Sequence, residues 1–143
     1  MATIDQIIAD FEFLDDWEDR YRYLIELGRA LPPMPEADHT EANKVRGCAS
    51  QVWLVTTPER NDGHTVLHFR GDIDALIVRG LVAVALALFD GKSPEEIRAI
   101  DAEKVFDQLD LRAHLTAQRS NGLRALVDRI RVEAANAAAR AAP

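Results

Sequence analysis

The sulfur chemistry open to this chain depends on one atom, because Cys48 is its only cysteine. A single thiol cannot form an intramolecular disulfide. It also cannot supply the several ligands that structural zinc sites and iron-sulfur clusters take from cysteines. Any second sulfur atom must therefore come from another molecule, which predicts a carrier or a nucleophile rather than a metal centre.

The segment around Cys48 favours a reactive thiol over a packed one. A free cysteine is often buried and then behaves as a small apolar residue, and this remains the alternative. Cys48, however, lies in the small-residue segment RGCAS (residues 46–50), directly before a strand-like run at residues 51–55. Gly47 can adopt backbone angles that are closed to other residues, and loops on a rigid scaffold often carry chemistry. We therefore interpret residues 46–50 as a functional loop.

Two basic residues precede Cys48 in the sequence. Only a thiolate attacks sulfur, and nearby cations lower the pKa of a thiol. If the segment is extended, the side chains of Lys44 and Arg46 leave it on the same face. The hypothesis is that both favour the Cys48 thiolate. The alternative is that they belong to a solvated strand.

Other groups give weaker signals. Trp53 is interpreted as a core anchor. No pair of histidines or carboxylates shows a recognised ligand spacing, so no metal site is predicted. The histidines also lack the spacing of a cysteine–histidine dyad and are assigned to loops or to the surface: His39, His64, His68 and His114.

Composition predicts one acidic globular domain over residues 1–143, with 48% hydrophobic residues and a net charge of -7. The negative charge disfavours nucleic acid and anionic membranes as partners. No secretory signal is predicted, because residues 1–13 carry several acidic groups. The longest apolar stretch, residues 75–89, is too short to span a bilayer. A lone cysteine suits a reducing compartment, so the cytoplasm is the expected location.

Hydrophobic periodicity predicts an α+β domain: a small three-stranded antiparallel sheet with helices packed on one face. The strands are expected near Lys44, at residues 51–57 and at residues 65–70, with Cys48 in the first connection and a tight turn at residues 61–63. Helices are expected at residues 4–13, from Trp17 to before Pro32, from Asp72 or Asp74 to Phe89, after Ser93, within residues 101–115, and from Ser120 to an alanine-rich end that frays past Ala138.

Four segments together resemble the SufE family, the sulfur acceptors that partner cysteine desulfurases in iron-sulfur cluster assembly. They agree with the family in order and spacing from about residue 15 to residue 132. The segments are YLIELG (residues 23–28), VRGCASQVWL (residues 45–54), GDIDALIVRGL (residues 71–81) and RSNGL (residues 119–123).

This resemblance implies a fold shared with the IscU-type scaffolds, and it implies that Cys48 carries a persulfide. The implied partners are a SufS-like cysteine desulfurase, which holds the pyridoxal phosphate, and a SufBCD-like scaffold complex. The chain itself is expected to need no cofactor, to catalyse nothing alone, and to be a monomer or a homodimer. Arg119 and Asp74 become candidates for the desulfurase-facing surface, together with Gly47 and Gln51 in the loop.

Several alternatives stay open. Asp74 can be a helix cap and Arg119 a surface charge. The chain can also be a non-covalent adaptor or allosteric regulator of the desulfurase, with Cys48 merely packed. A stand-alone cysteine enzyme is a further alternative, although the sequence reveals no base or oxyanion donors for it. A related hypothesis is that Cys48 rests against Trp53 and swings out about Gly47 when a partner docks.

Overall fold

The computed structural model describes residues 2–47, 51–74 and 76–141 and confirms the α+β architecture. In chain order the elements are α1 (Ile4–Phe13), α2 (Trp17–Arg29), a short 3-10 helix (Glu36–Asp38), β1 (Val52–Asn61), β2 (His64–Ile73), α3 (Leu76–Phe89), α4 (Pro94–Ala99), α5 (Ala102–Gln108), α6 (Leu111–His114) and α7 (Ala117–Ala141). None of the helices in these ranges combines the length and the apolar composition needed to cross a membrane.

Strands β1 and β2 form one antiparallel hairpin, in which Val52 pairs with Ile73 and Asn61 with His64. Asp62 and Gly63 connect them with positive φ angles of 51° and 81°. Two such residues are what a tight two-residue hairpin turn requires, so the predicted turn is confirmed.

The prediction of a third strand near Lys44 is wrong: the described sheet has two strands, and Lys44 makes only an isolated antiparallel bridge to Trp53. The residues before Lys44 fold into tight turns instead. The amide of Thr40 donates to the carbonyl of Asp38, and the amide of Lys44 donates to the carbonyl of Glu41. The amide of Asn43, which would continue the ladder beside Leu54 on β1, donates to the hydroxyl of Thr40 instead.

The core lies between one face of the hairpin and helix α3. Leu67 on β2 and Val84 and Phe89 on α3 have no exposed surface. Because side chains alternate along a strand, Trp53 and Asp72 belong to the opposite face, where they are paired across the two strands.

Helix α3 crosses α2 at close range. A Cβ atom on Gly80 would overlap the backbone carbonyl of Leu24, and one on Gly28 would lie 2.7 Å from the Cβ of Arg79. Glycine at the crossing therefore lets the two backbones approach, which fixes α3 against the rest of the core.

Local signals set most helix starts. The capping boxes at Thr3 and Ser93 are both formed, which confirms the helix starts predicted there. The last helix begins at Ala117 rather than at the predicted Ser120. The reason is Thr116, whose hydroxyl accepts the amide of Arg119 at 3.3 Å. Helix α7 is continuous to Ala141, and fraying of its end in solution stays a prediction.

Candidate functional site

Residues 48–50 lie outside the described residues, so the role of Cys48 stays a prediction. The site is built from the segments on either side, which the structure describes. We call residues 43–45 together with residues 52–54 the loop stem, and residues 46–51 the cysteine loop.

The loop stem is a short antiparallel pairing. The amide of Val45 donates to the carbonyl of Val52 at 2.7 Å, and the amide of Leu54 donates to the carbonyl of Asn43 at 2.8 Å. The side chains of Val45, Val52 and Leu54 are buried in the core. Both ends of the cysteine loop are thus held by backbone hydrogen bonds and by apolar packing.

Gly47 is the last described residue before Cys48, and its φ angle is +88°. This is the left-handed region that favours glycine, so the unusual backbone predicted for Gly47 is confirmed. A Cβ atom placed on Gly47 would lie 3.5 Å from the Cβ of Ala125, so the loop leaves its stem beside helix α7. The proposed hinge role of Gly47 stays a prediction.

Arg129 fastens the first half of the stem to helix α7. Its Nη1 donates to the carbonyl of Lys44 at 3.0 Å, and its Nη2 donates to the carbonyl of Ala42 at 2.7 Å. Its Nε donates to Glu133, one turn further along α7, at 3.0 Å. The planar guanidinium fork suits two neighbouring carbonyls at once. No sequence motif singles out Arg129, so sequence reasoning missed this clamp.

Gln51 and Asp74, two of the residues predicted to lie around Cys48, contact each other beside the second half of the stem. The amide of Asp74 donates to the carbonyl of Gln51 at 3.2 Å, and both residues are exposed. Asp74 is therefore next to the end of the cysteine loop, as the hypothesis of a surface around that loop requires. Arg119 lies in the first turn of α7, six residues and thus about 9 Å along the axis from Ala125. The partner-contact roles of these residues stay predictions.

The charges before the loop are distributed unequally. A guanidinium nitrogen of Arg46 lies 3.5 Å from a carboxylate oxygen of Glu41, and both side chains are about three-quarters exposed, at 77% and 76%. Lys44 is partly buried. The carboxylate of Glu41 offsets part of the positive charge of Arg46, and the effect of Lys44 and Arg46 on the Cys48 thiol stays a prediction.

His39 lies in a loop, as the sequence predicted, but its side chain is mostly buried there. Its side chain is 16% exposed, and its Nε2 lies 2.7 Å from Oδ2 of Asp72. Its ring meets that of Trp53 edge to face, with centroids 4.6 Å apart. Arg79 approaches Oδ1 of Asp72 at 3.5 Å. Asp72 therefore belongs to this cluster on the second face of the hairpin, within strand β2 and four residues before the first residue of α3.

Asp72 changes the titration of His39. The hydrogen bond that His39 donates to Asp72 and the negative charge of Asp72 raise the pKa of His39 above its usual value, although partial burial of the ring opposes them. Glu36 adds a smaller effect in the same direction, with its carboxylate 3.6 Å from Nδ1 of His39. A cationic His39 is therefore favoured while the cluster is intact.

The described ranges contain no group of three histidine, cysteine, aspartate or glutamate side chains placed to hold a metal ion. What the site offers is a single cysteine in a loop of six residues, between a fixed stem and a helix. Such an arrangement can present one thiol to another molecule.

Comparisons with known proteins match this chain over most of its length. The family model described as "SufE: Fe-S metabolism associated domain" matches residues 5–134. An uncharacterized SufE-like protein of Rhizobium etli is 58% identical over 94% of this chain and 90% of its own length. Another from Rhizobium meliloti is 57% identical over 94% of this chain and 96% of its own. The solution structure of a hypothetical protein from Thermus thermophilus is similar with a TM-score of 0.70, 22% identity and coverage of 95% and 96%. At that identity it shows a shared fold alone.

Proposed function

Because the chain belongs to the SufE family, we propose that it accepts sulfur from a cysteine desulfurase on Cys48 and delivers it to iron-sulfur cluster assembly. The observation that carries this proposal is the lone cysteine of the chain, placed between the two halves of an anchored stem. A cluster scaffold needs several cysteines, whereas a carrier needs one. The family's association with iron-sulfur metabolism agrees with this assignment.

The proposed step is a thiol exchange. The Cys48 thiolate attacks the outer sulfur of a persulfide on the desulfurase, and a new sulfur–sulfur bond forms. The sulfur–sulfur bond within the desulfurase persulfide breaks, and the desulfurase cysteine leaves as a thiolate. The proton of the persulfide stays on the transferred sulfur. Because one sulfur–sulfur bond replaces another, no outside oxidant or reductant is needed. Access and the pKa values of both thiols set the rate.

The geometry of the stem supports this chemistry. A carrier must present one sulfur atom to two different partners in turn, which requires a local loop movement without unfolding. The buried valines and the Arg129 clamp hold the stem. Residues 46–51 connect its halves, and Gly47 supplies a backbone conformation that other residues adopt only with strain.

The proposed partners follow from the same assignment. A SufS-like desulfurase holds the pyridoxal phosphate, and a SufBCD-like complex receives the sulfur, so this chain needs no cofactor and acts as an activator without catalysis of its own. Its net charge of -7 favours basic surfaces on those partners. The cytoplasm, as a reducing compartment, is the proposed location.

The deciding experiment is intact-mass measurement after incubation with a cysteine desulfurase, pyridoxal phosphate and free cysteine. Wild-type protein should gain about one sulfur, roughly 32 Da, in a form that a reductant removes. Cys48→Ser protein should gain nothing and should no longer stimulate the desulfurase. If Cys48→Ser still stimulates turnover and wild type gains no mass, the chain is instead a non-covalent adaptor and the carrier proposal is wrong.

A further inference from the structure

The geometry points to His39 as a positioning residue for the cysteine loop. We propose that its imidazolium, bound to Asp72 and seated on Trp53, holds the first half of the loop stem on the sheet, and that loss of its proton loosens the stem. We call this contact of His39 with Asp72 and Trp53 the clasp. The contribution of the clasp to sulfur transfer rests on the proposed function. The clasp itself does not, because it concerns only the stem.

Trp53 and Asp72 form the platform on which His39 rests. Trp53 bridges Lys44 through its backbone and contacts His39 with its ring, so one residue of β1 contacts both the first half of the stem and His39. Asp72 is directly opposite Trp53 in the hairpin. Its Oδ2 takes the short contact to His39, while its Oδ1 accepts the amide of Ile73 at 2.9 Å. Asp72 is therefore held in place to bind His39.

Short turns connect His39 to the stem. Within residues 38–44 the side-chain amide of Asn43 donates to the carbonyl of Asp38 at 2.9 Å. The backbone amide of Asn43 also donates to the hydroxyl of Thr40 at 3.3 Å. These bonds link both sides of His39 to Asn43, which itself pairs with Leu54 in the stem. A displacement of His39 is thus transmitted to the stem through this hydrogen-bonded segment.

Carboxylates dominate the charge around the imidazole. Asp72 from β2 and Glu36 from the 3-10 helix both face it and favour the cation. Arg79 from α3 faces the other oxygen of Asp72, and β1 contributes only the apolar ring of Trp53. The hydrogen bond to Asp72 is the largest of the effects that raise the pKa of His39, and the negative charges of Asp72 and Glu36 act in the same direction.

The direction of the pH effect follows from linkage. A group whose pKa is higher in the clasp than in the released state stabilises the clasp below its ordinary pKa of about 6.5. That contribution is lost as the pH rises through the pKa in the clasp. Each unit between the two pKa values corresponds to about a tenfold change in the ratio of closed to open stem.

The test compares two measurements on the full-length wild-type chain. NMR titration of the imidazole gives the pKa of His39, and amide hydrogen exchange gives the protection of Val45 and Leu54 from about pH 5.5 to about pH 9. After correction for intrinsic exchange rates, protection should fall about tenfold for each unit by which the pKa of His39 exceeds its released value. Protection that stays constant through the His39 titration would overturn the proposal.

Two variants separate the clasp from general structural effects. His39→Gln keeps a hydrogen-bond donor but cannot titrate, so stem protection should lose its pH dependence and start from a lower value. His68→Gln is the matched control. His68 also contacts a carboxylate, that of Glu59 at 2.6 Å, but it lies about 13 Å from Asp72 along β2. It should behave as wild type. Retention of the wild-type profile in His39→Gln contradicts the proposal. Should that variant not fold, the wild-type comparison alone decides.

The contribution to sulfur transfer is measured by the loading of Cys48 by a desulfurase. The ratio of wild-type to His39→Gln rates cancels the pH dependence of the desulfurase itself. This ratio should exceed one below the pKa of His39 and approach one above it. If no persulfide forms at all, the proposed function fails while the stem result still decides the clasp. If loading occurs at a ratio that does not change with pH, the positioning role fails alone.

Discussion

Replacing Arg129 by methionine removes the clamp between the loop stem and helix α7 while keeping most of the aliphatic side chain. Three hydrogen bonds are lost, to Lys44, Ala42 and Glu133. A hydrogen bond that involves a charged group contributes about 1.5–3 kcal/mol. The carbonyl of Ala42 regains water on loss of its partner because that bond is exposed, whereas the bonds to Lys44 and Glu133 are partly buried.

The partly buried hydrogen bond to Lys44 contributes most of the effect, and the ion pair with Glu133 contributes less. Together they predict that Arg129→Met lowers the free energy of unfolding by about 3 kcal/mol. Urea denaturation followed by circular dichroism measures this loss, provided that the m-value is unchanged. Arg129→Lys should lose about half as much, because an ammonium cannot donate to two carbonyls in the fixed geometry of the fork.

The matched control is Arg22→Met. Arg22 also pairs with two carboxylates, Glu18 at 3.3 Å and Asp19 at 3.5 Å, but its side chain is 70% exposed. Its replacement should cost no more than about 0.5 kcal/mol. If Arg129→Met is no more destabilising than Arg22→Met, Arg129 does not anchor the stem and the reasoning is wrong. If the clamp holds, persulfide loading should slow in Arg129→Met and not in Arg22→Met.

Further substitutions test the fold and the loop. Gly47→Ala and Gly63→Ala should each cost about 1–2 kcal/mol in urea denaturation, because both glycines have positive φ, at 88° and 81°. Only Gly47→Ala should slow persulfide loading, and equal effects of the two on loading would contradict a role for Gly47. Gly80→Ala should reduce stability by about 3 kcal/mol or more, since its methyl group meets the backbone of Leu24; a thermal midpoint near wild type would refute this close crossing. Ser93→Ala should cost about 1 kcal/mol through loss of the capping box, and no shift in the denaturation midpoint would count against it.

Local interactions explain which parts of the fold the sequence predicts correctly. The capping boxes at Thr3 and Ser93 and the turn at Asp62 and Gly63 involve residues within a few positions of one another. Their geometry therefore follows from residue type and spacing. The count of one cysteine likewise limits the sulfur chemistry from the sequence alone, because the number of available ligands does not depend on the fold.

The predictions of a third strand and of the start of α7 are wrong for a related reason. Both depend on competition between alternatives that are each locally acceptable. Near Lys44, the amide of Asn43 donates to the hydroxyl of Thr40 instead of pairing with β1, and the ladder stops at an isolated bridge. At α7, Thr116 supplies a cap ahead of the one expected at Ser120.

The tertiary structure alone decided which distant groups surround the loop stem. His39 meets Asp72 across 33 positions, and Arg129 reaches the carbonyls of Lys44 and Ala42 across 85 and 87 positions. No spacing rule relates such residues, because their contact depends on the register of the hairpin and on the docking of α7. The sequence thus determined the chemistry available at Cys48, and the packing of elements far apart in the chain decided how the segment before it is held.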